Sequence, residues 1–209
     1  MAFESLGENC EFGLVQRHFG AEPLGLLRFS GVAVDHLIDA LDHDFEGVGL
    51  PDQTEVHLNT HETEYFSIDA RYGFSSHSMV FADAATPAEA AARIERRARF
   101  LRQKMLEDLR SAPKIYVYQS GDDPLRADMS SLLFALRRHG PNRLLWVKPN
   151  PDAALHGAVT LLEDGLMLGY LDRPGKVGEV WAPSHAVWMR LLRRALKLSN
   201  REHAARLGL

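Results

Sequence analysis

Apolar residues recur every three to four positions in five stretches of the chain, and they run together or alternate in several shorter ones. The first helical pattern covers residues 10–19, where Phe12, Val15 and Phe19 share a side and Gly20 supplies a stop. A second, shorter one covers 34–41, with Leu37, Ile38 and Leu41 together. The third is the clearest. It runs over 86–111 behind a Thr86–Glu89 capping box with Pro87 in the first turn, and its stripe is Ile94, Ala98, Leu101, Met105 and Leu109. Two more cover 123–140 and 183–199, the last with Val187, Leu191 and Ala195 on its buried side.

Between these helices the period shortens. "KIYVYQ" (114–119) and "RLLWVK" (143–148) are β-prone runs, and residues 157–171 predict two strands about a Glu163-Asp164-Gly165 turn. "RYGFSSHSMVF" predicts a strand entered through Gly73 with His77 near its start. Residues 46–64 carry Gly, Pro, Asp and Asn and predict a loop holding at most one short strand. Helices interleaved with short strands indicate an α/β chain, with α+β as the alternative. A length of 209 residues fits one domain over 1–209, closed by an amphipathic basic helix and tail over 183–209.

Composition narrows the class. The chain is 45% hydrophobic and 25% charged, has no apolar run long enough for a membrane helix, and opens without the basic and apolar regions of a secretory signal. A single cysteine, Cys10, excludes an internal disulfide, and together these features predict a cytoplasmic protein. A net charge of -4 argues against general nucleic-acid binding. The charge is uneven: residues 1–70 hold 14 acids and two arginines, whereas 186–209 hold six basic residues and one acid.

Cys10 ends the turn "SLGENC" and begins the first helical pattern. Unpaired N–H groups and the dipole at a helix N-terminus favour a thiolate, whereas the neighbouring Glu8 and Glu11 oppose it. The alternative is a small apolar residue buried under the helix. A catalytic thiol needs a base within hydrogen-bond reach. His18 lies more than two turns along the same helix and is too far, whereas His77 stands where a sheet edge could face a helix start. His57 and His61 lie in a loop or strand without the helical spacing of a zinc pair, so neither a metal nor a cofactor is expected.

"SLGENCEFGLVQRHFGAEPLGLLRF", followed in order by His77, "RRARF" (96–100) and "KIYVY", resembles a bacterial family described as papain-like cysteine peptidases. The resemblance covers about residues 3–120. It implies a papain-like arrangement, in which a nucleophile-bearing N-terminal helix packs on a small sheet. It places Cys10 on the nucleophile and His77 on the base. The chain departs from the family at "LLRFSG", where Arg28 and Phe29 replace an acid and an aromatic, and at Ser78, where the family has aspartate after the histidine.

On that resemblance Cys10 attacks an amide or thioester of a peptide or small acyl substrate, and His77 handles the proton. Asn9 would assist the Cys10 backbone N–H at the oxyanion, and Gln119, Asp122 or Asp172 would orient His77. Arg28 would hold a substrate carboxylate or phosphate, or form an ordinary ion pair. The alternatives are a thiol-dependent acyltransferase for a polysaccharide or small acceptor, and a non-catalytic binding module on the same fold.

Overall fold

The computed structural model describes residues 2–111, 114–119, 124–177 and 180–206. In chain order it contains β1 (Phe3–Ser5), α1 (Glu11–His18), β2 (Ser30–Gly31), α2 (Val34–Asp42), a 3-10 turn (Pro51–Gln53), β3 (Thr54–Leu58), β4 (Glu64–Asp69), β5 (Ser75–Phe81) and α3 (Pro87–Ser111). There follow β6 (Ile115–Gln119), α4 (Arg126–Arg137), β7 (Arg143–Pro149), a second 3-10 turn (Ala153–Leu155), β8 (Val159–Glu163), β9 (Leu166–Leu171), β10 (Lys176–Val177), β11 (Val180–Trp181) and α5 (His185–Arg206). The mixed α/β class follows from this order, and the five helices fall where the apolar periodicity places them.

The strands form two principal sheets. The larger has the order β1-β6-β7-β9-β8, in which the first four are parallel and β8 runs antiparallel to β9. Apart from the partly exposed edge strand β8, its strands are largely buried on both faces, and their side chains alternate between two apolar layers. Ile115 and Val117 meet Phe12 and Val15 of α1 and Trp188 and Leu191 of α5. Tyr116 and Tyr118 point the other way, among Leu37 and Leu41 of α2 and Met129 and Leu132 of α4. The helix after β1 therefore covers one face and the helix after β6 covers the other. Adjacent strands whose helices part in this way open a crevice at their carboxyl ends, where α/β proteins commonly place ligands.

The smaller sheet, β2-β5-β4-β3, is antiparallel and lies between α1 and β6 in the chain. Its β4 residue Tyr65 packs with Ala90 and Ile94 of α3. Further along, Met105, Leu106 and Leu109 of α3 enter the layer shared with α2 and α4, so this helix straps the two sheets together. Its capping box forms as the sequence predicts, with Thr86 N and Oγ donating to Glu89 Oε2 at 2.9 Å.

The sequence pattern did not predict four short strands. These are β1, β2, β10 and β11, of two or three residues each, too short for a periodic signal. The region 46–64 contains the 3-10 turn and β3, and β4 begins at Glu64 in a stretch where no strand was expected. The final helix continues past 199 to Arg206, and the tail beyond it lies outside the described residues. Among the described residues no helix is long and apolar enough to cross a membrane.

Candidate functional site

The turn Leu6–Cys10 leaves β1 at the parting of the two helical layers. Gly7 makes the turn possible. Its φ is +84°, and a Cβ there would stand 2.9 Å from Ser30 O, so both its conformation and its close approach require glycine. Asn9 then caps α1: its Oδ1 accepts from Glu11 N at 2.9 Å. Its amide donates to Glu8 Oε2 at 3.3 Å and to Gln119 O at 3.2 Å, which ties this turn to the carboxyl end of β6. With its amide hydrogens engaged in this way, Asn9 is a strut of the turn and offers no free donor to an oxyanion.

Cys10 follows at the helix start, half-buried, and among the described residues its thiol makes no hydrogen bond. The helix start was expected to lower the thiol pKa. Instead burial, reinforced by the charge of Glu64 and only partly offset by Lys176, pushes it up to about 11. The acid next to it is not the cause. Glu11 turns inward, 1% exposed, and accepts from Trp188 Nε1 at 2.8 Å and Gly175 N at 2.9 Å. It thereby holds α1 against α5 and the segment before β10, and burial raises its own carboxyl pKa.

His77 sits in β5, opposite Phe66 in the register with β4, with the two rings 4.1 Å apart. Its Nδ1 shares a 3.1 Å hydrogen bond with Glu64 Oε2. The other carboxylate oxygen, Oε1, accepts from Met79 N at 2.8 Å. Met79 lies at φ +58° in a bulge of β5, and Ser78 holds that bulge by donating to Tyr65 O and accepting from Val80 N at 3.0 Å. Ser78 is thus a backbone anchor, and the carboxylate beside the histidine comes from the neighbouring strand.

Cys10, at the start of α1, and His77, in β5, both lie within the electrostatic reach of Glu64. Glu64 bonds the imidazole directly and acts on the thiol through its charge. Close packing between α1 and the small sheet holds the two halves together. A Cβ on Gly13 would lie 2.5 Å from Arg28 O and 2.6 Å from the Phe29 ring, and Phe29 O accepts from His77 N at 3.1 Å.

The other expected site residues stand elsewhere. Gln119 ends β6, 2% exposed, its carbonyl bonded to Asn9 and its Oε1 without a partner. Asp172 follows β9 and accepts from Ser184 Oγ at 2.7 Å. Asp122 lies outside the described residues. The residue hydrogen-bonded to His77 is Glu64, not Gln119 or Asp172. Sequence reasoning missed it because 64–69 was not assigned as a strand. Pairing "EYFSID" with "SSHSMVF" as a hairpin puts Glu64 and Phe66 on the face of His77, which is the signal that could have found it.

Arg28 is 6% exposed and engaged inside the protein. Nη1 meets Glu22 Oε2 at 2.5 Å and Pro23 O at 3.3 Å, while Nη2 meets Gly13 O at 3.1 Å and Ala21 O at 3.0 Å. It clamps the segment between α1 and β2, which is the ion-pair role rather than a free substrate contact. Among the described residues no group of three or more His, Cys, Asp or Glu is placed to hold a metal ion. No family model, no curated protein and no solved structure matches the chain.

Proposed function

We propose that the chain is a thiol enzyme acting on an amide or thioester, with Cys10 as nucleophile, His77 as base and Glu64 as the residue that orients the base. The hydrogen bond between Glu64 and His77 Nδ1, made by a carboxylate whose charge also reaches Cys10, carries this reading. A carboxylate on Nδ1 fixes the proton there and leaves Nε2 as the basic nitrogen.

A thiol raised to about 11 is neutral at rest, so its proton leaves during attack rather than before it. Sγ forms a bond to the carbonyl carbon as Nε2 takes the thiol proton. The tetrahedral intermediate then collapses, the carbon–nitrogen or carbon–sulfur bond breaks, and the imidazolium returns the proton to the departing amine or thiol. The backbone N–H groups of the first turn of α1 are the nearest donors for the oxyanion. The resulting acyl-enzyme passes to water or to an acceptor, so hydrolysis and acyl transfer share every step up to that point. The neutral thiol, without a hydrogen bond at rest, favours a second reading: a binding module that has kept the arrangement and does no chemistry.

Incubation with p-nitrophenyl acetate, followed by peptide mass analysis, separates the two readings. The enzyme reading expects one acetyl adduct on Cys10, formed on the order of 10²–10⁴ times more slowly in His77→Ala. Equal rates of p-nitrophenolate release and Cys10 acetylation in both proteins, or neither release above background nor adduct, would leave the binding module.

A further inference from the structure

A cavity of about 250 Å³ lies behind the strand that carries His77, between the small sheet, α3 and the segment leading into β2. Its floor is a row of hydroxyls set by strand register. Ser76 pairs with Ser30 on one side and with Ser67 on the other, and the Oγ atoms of Ser30 and Ser76 lie 2.6 Å apart. Two residues beyond Ser67, on the same face of β4, Asp69 also lines the cavity. The roof is apolar, formed by Ile94, Ala98 and Leu101 of α3.

Two polar groups in this lining are incompletely satisfied. Asp69 is 8% exposed; its Oδ1 accepts from Tyr72 N at 2.8 Å, and among the described residues its Oδ2 lacks a well-formed hydrogen bond. Arg28 has its Nη atoms engaged as described, and among the described residues its Nε makes no hydrogen bond. Buried polar groups are ordinarily hydrogen-bonded, so such a pair at one cavity needs an explanation. The charge balance adds to this. Arg17 and Arg28 share the single carboxylate of Glu22, and Arg97 donates to Ser78 O without an ion pair among the described residues. Arg17, Arg28 and Arg97 against Glu22 and Asp69 leave the lining net positive.

We propose that this cavity binds a monosaccharide-sized hydroxylated acid. Its hydroxyls meet the Ser30–Ser76–Ser67 row and Asp69, its C–H face packs under α3, and its acidic group meets Arg97. A volume of about 250 Å³ suits a single sugar ring. The site does not use the thiol: by strand alternation its hydroxyls and Asp69 belong to the face of the small sheet opposite the Glu64–His77 hydrogen bond, while His77 itself also borders the cavity.

Calorimetric titration with D-glucuronate, D-glucose and hexanoate tests it. Glucuronate should bind saturably and at least about tenfold tighter than glucose, which lacks the acid, or hexanoate, which lacks the hydroxyls. Ser67→Val, which fills the floor, and Arg97→Met, which keeps the stem, should each weaken glucuronate by about tenfold or more, with unchanged circular dichroism. Cys10→Ser should leave binding unchanged, so that failure of the thiol reading and failure of this one are told apart. Absence of saturable glucuronate binding, equal binding of hexanoate or glucose, or full affinity in both cavity variants would overturn the proposal.

Discussion

The two sheets solve different problems. The five-stranded, mostly parallel sheet carries an apolar layer on each face, each covered by helices, so it fixes where the turn after β1 emerges and hence where Cys10 stands. The four-stranded antiparallel sheet is thinly packed and polar along β5, and it supplies His77, Glu64 and the hydroxyl row. One sheet provides rigidity and the position of a thiol. The other provides titratable and hydrogen-bonding groups on a strand bent by a bulge. The candidate site is thus a junction: neither sheet holds both Cys10 and His77, and Gly13 and Phe29 make one of the close contacts that join the two halves.

The contrast can be broken by substitution on either side. Trp188→Ala attacks the rigid half, since it empties a fully buried site between α5 and the sheet and leaves Glu11 without its indole donor. It should cost about 3–5 kcal/mol in urea unfolding. Gly13→Ala attacks the junction; the added methyl meets Arg28 O and the Phe29 ring and should cost about 1–3 kcal/mol, with a measurable change in Cys10 reactivity. Ser78→Ala attacks only the bulge. Losing the hydroxyl that bridges Tyr65 O and Val80 N should cost about 1–2 kcal/mol while leaving the parallel sheet unchanged, which hydrogen exchange can read strand by strand.

The smallest expected effect is one of pH. Glu11 has its folded-state pKa raised above the ordinary 4.5, so its contribution to stability is fully present below 4.5 and is lost as pH rises through the raised value. Unfolding free energies should fall across that window with a slope of at most about 1.4 kcal/mol per pH unit. Glu11→Gln should flatten this slope; an unchanged slope would locate the proton elsewhere.

Legibility followed the same division. The parallel sheet and its helices were readable because burial writes period and composition into the chain: "KIYVYQ", "RLLWVK" and the Ile94–Leu109 stripe each state their element. The small sheet was only partly readable, because half-buried strands carry Ser, Glu and His at positions where a longer apolar run would have marked them. His77 was singled out by its place near the start of a predicted strand and then by the family resemblance, whereas Glu64 was missed because its role depends on cross-strand register, which no local window contains. The sign of the Cys10 shift was also illegible. A helix start is a local feature that lowers a thiol pKa, but the burial and the distant carboxylate that outweigh it are products of the tertiary fold.

The central claim is that the thiol from one sheet and the imidazole–carboxylate pair from the other form one electrostatic unit. The rate of Cys10 alkylation by iodoacetamide, measured from neutral to strongly alkaline pH in the native chain and in Glu64→Gln, tests it most directly. The native thiol should follow a midpoint of about 11 rather than 9.0. Its rate near neutrality should be about tenfold below that of an unperturbed thiol, the roughly hundredfold loss of thiolate being partly offset by greater nucleophilicity. Glu64→Gln should move the midpoint down, since it removes the charge that opposes the thiolate. Superimposable profiles in the two proteins would contradict the account, because Glu64, and with it His77, would then exert no influence on Cys10.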